Sequence, residues 1–282
     1  MGAARRRLVT AVVTAAIVVA SAAIPAPATE GRQVPHRWRP AVSQTRVDSK
    51  YPQAGDPRVD ALHYRLGLRW APATRTLTGH EALLWRATRT MRTFALDLSP
   101  DLRLRSVRLD GHRVVHTRRH HKLHLHARVR RGSVHRLVLV YAGVPHGVRG
   151  GPIPGAGAQV TPSGGLWTCQ PPYGAFTWYA VNDQPADKAY YDFRLAVPRP
   201  LVGVANGRLI DRHRHGRLVR TRWHLDAPAS SYLTTLGFGR YMHTSLGRVH
   251  GTPVSLWTPR GDAATRRKFR YAAPALRWLE HR

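Results

Sequence analysis

The chain has 282 residues, of which 43% are hydrophobic, and it has a formal net charge of +30 and a single cysteine. This apolar content is enough for a folded core and excludes a disordered chain. One cysteine excludes an intrachain disulfide, and the length suits one large domain, or one domain followed by the start of another.

Residues 1–28 have the pattern of a secretory signal peptide. Three arginines at positions 5–7 precede an uncharged apolar run over residues 8–20, and residues 26–28 give the small-x-small pattern of a cleavage site. The run is too short and wrongly flanked for a lasting membrane span, although an uncleaved single-span anchor is the alternative. We therefore expect a secreted or extracellular protein, associated with the cell envelope if the anchor is kept.

The basic residues are almost all arginine, because lysine occurs only at positions 50, 122, 188 and 268. Such a charge balance has two interpretations: an anionic partner such as nucleic acid or a cell surface, or codon drift in a GC-rich genome. The arginines are scattered along the predicted strands, which favours drift. We expect no specific nucleic-acid partner. A stand-alone basic β domain that binds anionic polymers or a cell surface is the alternative function.

Residues 29–55 are polar and lack periodicity, which predicts a linker or a tail lying on the domain surface. From Asp60 the pattern changes to strict alternation of apolar and polar residues, which predicts a half-buried strand over residues 60–70. Turn residues separate further short strands, an arrangement typical of an antiparallel sandwich or barrel-like sheet. These strands are predicted at 77–85, 94–98, 102–109, 123–129, 134–141, 191–197, 202–205, 218–225 and 232–238.

Two stretches break this rhythm. Residues 142–168 are rich in glycine and proline, which predicts a long irregular loop. Near the C-terminus, Asp262 is a good cap for a helix that runs onward through Phe269. Leu276 and Leu279 then share one helical face, and the sequence stops at Arg282 without a closing residue, so we expect a truncated chain.

Residues 168–189 read TCQPPYGAFTWYAVNDQPADKA, and their residue types alone predict a structured loop. The segment resembles the zinc aminopeptidases of the aminopeptidase-N type, a gluzincin metallopeptidase family. Members have a run like Cys-Glu/Gln-Pro-x-Gly-Ala, then a Trp, then Asp-x-Pro-x-x-Lys-Ala. One departure is Pro172-Tyr173 in place of a single variable residue. The matching positions are Cys169, Gln170, Pro171, Gly174, Ala175, Trp178, Asp183, Pro185, Lys188 and Ala189.

Weaker similarities follow in the family's order along the chain, at residues 77–79, 94–98, 141–143, 204–207 and 239–241. The resemblance implies a mainly β fold, an antiparallel saddle or sandwich N-terminal domain over residues 56–258. It also implies that residues 259–282 begin a helical, thermolysin-like catalytic domain. The implied function is that of the substrate-binding and structural domain of a secreted zinc metallo-aminopeptidase, acting on peptides with a free N-terminus.

The family's chemistry needs zinc, held by a His-Glu-x-x-His motif on a helix. The fragment His80-Glu81 lies on a predicted strand, and Leu84 occupies the place of the second histidine. We therefore expect zinc in the intact family enzyme and none bound by this chain, which alone should be inactive.

One family role is implied for this chain. A Glu or Gln of the first domain receives the substrate's α-amine, and Gln170 occupies that position; the alternative is a glutamine that bonds only its own loop. Gln in place of Glu removes a charge, which should weaken binding of the amine. A second candidate is a histidine cluster, which could form a metal site but fits a solvated polar face better. Its members are His116, His120, His121, His124 and His126.

Overall fold

The computed structural model describes residues 33–151 and 153–281, so the predicted signal peptide over residues 1–28 lies outside the described residues. Among the described helices, none is both long enough and apolar enough to cross a membrane. Most of the described residues lie in strands that pair into four sheets. The prediction of a mainly β fold is therefore confirmed.

The described residues form seventeen strands, two α-helices and five short 3-10 turns. The strands, numbered in chain order, are β1 (Val59–Ala71), β2 (Thr76–Ala87), β3 (Met91–Asp97), β4 (Leu102–Leu109), β5 (His112–Arg113), β6 (Val115–Arg119), β7 (Lys122–Val129), β8 (Val134–Gly143), β9 (Gly157–Val160), β10 (Leu166–Cys169), β11 (Lys188–Pro198), β12 (Val202–Ala205), β13 (Arg208–His215), β14 (Leu218–Ser230), β15 (Leu236–Gly239), β16 (Tyr241–Val249) and β17 (Thr252–Pro259). The α-helices are α1 (Ala263–Lys268) and α2 (Ala272–Glu280). The 3-10 turns are His36–Ala41, Pro72–Thr74, Ala175–Thr177, Ser231–Leu233 and Phe269–Tyr271.

The largest sheet has eight strands in the order β13-β14-β11-β1-β2-β8-β4-β5. Smaller sheets have the orders β12-β15-β10-β9, β3-β7-β6 and β16-β17. Neighbouring strands are antiparallel, as predicted, except that β1 and β11 run parallel at the middle of the large sheet. This pairing places the start of the β region beside a strand that follows the 168–189 segment.

The core lies on one side of the large sheet, under the three-stranded sheet and the segment before β11. In β1 the even-numbered residues from Tyr64 to Trp70 are buried, whereas Arg65 and Arg69 are exposed, which confirms the predicted alternation. Aromatic rings join the layers: the Trp85 and Phe94 ring centroids lie 4.3 Å apart. Burial of such rings stabilises the domain by several kcal/mol each, about 3–5 on truncation to alanine.

The strands of the structure differ from the predicted ones in three ways. The predicted irregular loop over residues 142–168 contains β9 and β10, which are too short to give a periodic signal between glycines. The predicted strand over residues 232–238 starts only at Leu236, because Ser231–Leu233 forms a 3-10 turn. The exposed strands β5, β6, β13, β16 and β17 were not predicted, because both of their faces are largely polar or exposed.

The segment before β1 lies on the outer face of the large sheet. The ring of Trp38 stacks on His63 with centroids 4.2 Å apart, and Ala41 is buried. The backbone N–H of Ser43 donates to Asp60 at 3.0 Å, and its hydroxyl accepts the N–H of Lys188 at 3.0 Å. The predicted boundaries of this tail and of the following domain stay predictions.

The C-terminal residues are helical, and Asp262 caps α1 as predicted, accepting the Thr265 N–H at 2.9 Å. The helix ends at Lys268, one residue before the predicted Phe269, and α2 follows a 3-10 turn. The side chains of Phe269 and Leu279 are exposed.

Gly79 lets the inward face of β2 accept an aromatic ring. A Cβ at Gly79 would lie 2.2 Å from Cζ of Tyr141, whose buried hydroxyl donates to the Trp178 carbonyl at 3.2 Å. Gly79→Ala should lower the free energy of unfolding by about 3 kcal/mol, because overpacking displaces the ring. Urea denaturation measures this. Gly67→Ala is the control, since a Cβ there would meet only His80, at 3.2 Å from its carbonyl oxygen and 3.8 Å from its Cβ. Equal losses in the two variants would contradict the explanation.

Candidate functional site

The segment that resembles the aminopeptidases runs between β10 and β11 and packs on the core side of the large sheet; we call residues 170–187 the docked loop. Its backbone has few regular partners, so buried side chains satisfy its polar groups. The Asp183 carboxylate accepts the Gly174 N–H at 2.9 Å and the Phe176 N–H at 3.3 Å. It also accepts the Ser231 hydroxyl at 2.7 Å, which joins the loop to the turn after β14.

Asn182 joins the docked loop to the start of β1. Its Oδ1 accepts the Asp56 N–H at 2.6 Å. Its Nδ2 donates to the Val59 carbonyl at 2.9 Å and to the Asp187 carboxylate at 2.6 Å. Asp187 also accepts the Ala61 N–H at 3.1 Å. One amide side chain therefore fixes the register between the loop and the first strand.

Two further acids accept backbone N–H groups of the docked loop. Asp97, at the end of β3, accepts the Gly55 N–H at 2.7 Å and the Asp183 N–H at 3.3 Å, and it pairs with Lys122 at 2.5 Å. Glu81, on the inward face of β2, accepts the Ala180 N–H at 3.0 Å. Sequence reasoning missed both residues. The signal for Glu81 was an acid at an apolar position of an alternating strand. Asp97 alternates with Phe94 and Leu96, so it gave no such signal.

Burial changes the pKa values of these acids. It raises the pKa of Glu81 to about 8, because removal from water disfavours the charged form. Burial, with the nearby Asp97 charge, raises the pKa of Asp183 to about 6. The pKa of Asp187 is also raised, by burial and by the Asp60 charge. Since these groups bond loop N–H groups, their role in this arrangement is to position the loop.

Gln170 follows β10 and is fully buried, with 0% exposure. Its Nε2 donates to the Thr234 carbonyl, to Thr234 Oγ1 at 3.1 Å and to the Ser231 carbonyl at 3.4 Å. Its partners thus lie outside its own loop. Its Oε1 is buried and has no hydrogen-bond partner among the described residues. An unpaired buried carbonyl is costly and is the group that would accept an ammonium.

The strand before Gln170 alternates, so its neighbours point outward. Trp167 and Cys169 are exposed, whereas Thr168 is buried. Cys169, the single cysteine of the chain, is therefore an exposed free thiol. The surface beside the predicted substrate residue is therefore formed by an indole ring and a thiol.

A cleft of about 300 Å³ borders the docked loop on its other side. His121 lies there, stacked on Phe176 with centroids 4.9 Å apart and with Nε2 at 3.6 Å from the Asp97 carboxylate. At the rim, His146 Nδ1 donates to the Asp101 carboxylate at 3.1 Å. Burial lowers the pKa of His121. Both polar and apolar residues line the cleft, and Gln170 is not one of them.

The predicted histidine candidates do not form a zinc site among the described residues. His80 is exposed and Glu81 is buried, so they lie on opposite faces of β2. Within the described residues, no group of three His, Cys, Asp or Glu side chains could hold a metal. The hairpin histidines do not converge: His126 is exposed and contacts the Thr117 hydroxyl at 3.2 Å, whereas His121 faces the cleft.

Comparison with known proteins gives structural relatives only: no protein-family model and no curated protein matches this chain. The chain is similar to the M1 zinc metallopeptidase from Deinococcus radiodurans, with 25% identity and a TM-score of 0.66 over 78% of this chain and 54% of that chain. A mutant of that metallopeptidase bound to a Tyr-Ser-Ala substrate gives 24% identity and a TM-score of 0.66 over 81% of this chain and 55% of that chain.

This chain therefore spans little more than half the length of the solved structures that it matches. At the level of the fold, the chain is similar to the N-terminal β domain of the M1 zinc metallopeptidases.

Proposed function

We propose that this chain is the substrate-binding and structural β domain of an exported zinc metallo-aminopeptidase. The zinc-binding half would lie in a part of the protein outside these residues. The observation that supports this most strongly is the match to about half of a zinc metallopeptidase, joined to a motif that includes Gln170. The whole enzyme would release N-terminal residues from peptides, and zinc, when bound by the other half, would supply the activated water.

In this proposal the domain presents a preorganised acceptor, Gln170, to the peptide's free amine. The docked loop is fixed by Asn182, Asp183 and Asp97, so the backbone that follows β10 has little freedom. Preorganised groups lose little entropy when a ligand binds. The Gln170 Oε1, which lacks a partner, would accept a hydrogen bond from the ammonium once the neighbouring half and the peptide complete the site.

The direct test is to clone the complete reading frame that contains these residues and to express it. We expect an in-frame His-Glu-x-x-His with a later Glu, about one zinc per protein, and release of tyrosine from the peptide Tyr-Ser-Ala. N-acetylated Tyr-Ser-Ala should not be cleaved. A stop codon directly after residue 282, with no zinc motif encoded nearby, would contradict the proposal.

Gln170→Ala in that complete protein should raise KM for Tyr-Ser-Ala about tenfold, because a hydrogen bond to a charged group is worth about 1.5–3 kcal/mol. Gln170→Glu should lower KM, because a carboxylate attracts the ammonium more strongly. Steady-state kinetics separates KM from kcat. Gln159→Ala is the matched control, since Gln159 bonds only the Gly155 carbonyl. An unchanged KM in Gln170→Ala would remove this residue from the site.

A further inference from the structure

The outer face of the large sheet, opposite the core, has a groove of about 520 Å³ that crosses several strands. Its floor includes Gly67 and Ala196, whose small side chains leave space between longer neighbours. Within the described residues, no Asp or Glu lines it. The charged and titratable residues that do are Arg69, His80, Arg194, His213, Arg220 and Arg222.

The register of the sheet sets these basic residues in rows. Gly67 of β1 is opposite Arg194 of β11 on one side and His80 of β2 on the other. Arg194 is in turn opposite Arg222 of β14. Strands are spaced by about 4.8 Å, so this row extends for about 14 Å from β14 to β2. A second row, two residues further along, places Arg69 and Arg220 on either side of Ala196.

The positive charge of the groove is not neutralised within the described part of the protein. The guanidinium groups of Arg69, Arg194 and Arg222 make no ion pair or hydrogen bond there, and neither does that of Arg220. Two acids on neighbouring positions of this face have other partners. Asp192 accepts from His63 at 2.9 Å and His224 at 2.8 Å, and Asp211 bonds His213 at 2.7 Å.

Like charges directly opposite each other destabilise a pair of strands. Arg194 and Arg222 are such a pair. Asp211 of β13 is opposite Arg222 on its other side, but it bonds His213 and forms no ion pair with either arginine among the described residues. Codon drift would add arginines at many surface positions. Drift would not by itself align arginines around a groove that has small residues at its base and no acid in its lining. An external oxyanion placed between the two guanidinium groups would remove the repulsion.

We infer that this groove binds a linear acidic polysaccharide through its sulfate or carboxylate groups. Arginine is suited to these groups, because its planar fork donates two parallel hydrogen bonds to an oxyanion. The row length of about 14 Å exceeds a single small anion and suits a chain with repeated charges. Among the described residues, no Phe, Tyr or Trp lines the groove, so it lacks the large stacking platform that single-stranded nucleic acids use.

The test measures binding of fluorescein-labelled oligosaccharides to the purified chain by fluorescence anisotropy at 0.15 M NaCl. A heparin oligosaccharide presents sulfate and carboxylate, and a polyguluronate oligosaccharide presents carboxylate alone. Their comparison identifies the group that is bound. An oligo-dT of matched charge reports nucleic-acid binding.

Two variants are compared, and each loses four positive charges at positions on strands or beside them. The groove variant is R69Q/R194Q/R220Q/R222Q, and the control variant, on and beside β3, β6 and β7, is R92Q/R119Q/R128Q/R130Q.

We expect the groove variant to bind the preferred oligosaccharide about 100-fold more weakly, and the control variant to lose less than about threefold. Equal losses in the two variants would reduce the effect to overall charge and overturn the groove. Tighter binding of oligo-dT than of either oligosaccharide, with the same dependence on the groove, would overturn the polysaccharide. The assay involves neither zinc nor peptide, so its outcome is independent of the proposed peptidase role.

A thermal melt of each variant by circular dichroism separates binding from folding. The four substituted arginines are outside the core, and removing the Arg194–Arg222 repulsion should leave Tm unchanged or raise it. A groove variant that binds weakly and keeps its Tm supports the inference. If the quadruple variant has a lower Tm than the unchanged protein, oligosaccharide binding is measured again with the single variant Arg194→Gln. Its affinity should fall about fivefold.

Discussion

Asn182→Ala should lower the free energy of unfolding by about 4 kcal/mol, since each buried polar group left without a partner costs about 1–3 kcal/mol. Asn182 alone satisfies the Asp56 N–H and also bonds the Val59 carbonyl and the Asp187 carboxylate. Alanine would leave these groups buried with no water in reach. Urea denaturation followed by tryptophan fluorescence measures the loss.

Asn206→Ala is the matched control, because it removes the same amide from a more exposed turn. Asn206 donates to the Leu233 carbonyl at 3.0 Å and accepts from Thr235, where water can replace it. We expect a cost of about 1 kcal/mol there. Equal losses for Asn182→Ala and Asn206→Ala would show that the docked loop is not held through Asn182.

The second large effect is a dependence of stability on pH that Glu81 produces. The pKa of Glu81 is raised from 4.5 to about 8 by burial, so between these values the folded protein holds a proton that the unfolded chain has released. Stability from this group is therefore full below pH 4.5 and falls as pH rises to 8, by up to about 1.4 kcal/mol per pH unit. Asp183, with its pKa raised to about 6, acts in the same direction.

Glu81→Gln should remove the Glu81 contribution. The variant and the unchanged protein should have similar free energies of unfolding at pH 4, and by pH 8 the variant should be the more stable by a few kcal/mol, on the order of 4. Denaturation series at pH 4, 6 and 8 test this. Taking the difference between the two proteins cancels Asp183 and every other titrating group. A difference that stays constant with pH would show that Glu81 keeps its ordinary pKa in the fold.

The strands that the sequence predicted well are those with one buried face. Residues 60–70 and 102–109 alternate, and the structure has strands there with nearly the same bounds. Strand β13 was missed because its residues are mostly exposed and charged, which leaves no apolar period. Strand β10 was missed because it begins within the glycine- and proline-rich stretch that predicted a loop.

The site was predictable only in part, and for a physical reason. The resemblance pointed to Gln170, but its burial and its bonds to Thr234 depend on a turn distant in sequence. Glu81 contradicts the rule that inward strand positions are apolar, and Asp97 is buried although it is at a polar position of β3. Only the docked loop shows which N–H groups these two acids satisfy. The rows of arginine could not be predicted from the sequence, because alternation gives the face on which a residue lies but not its neighbour on the next strand.

The parallel pairing of β1 and β11 has a consequence for how the chain folds during synthesis. β1 leaves the ribosome early, yet one of its two hydrogen-bonding edges has no partner until β11 has been made. Contacts between residues so distant in sequence close slowly, on a scale of milliseconds to seconds. Until then β1 has an unpaired edge next to an apolar face, the kind of strand that other chains can pair with. A chain with this topology would therefore benefit from a holding chaperone before β11 closes the sheet.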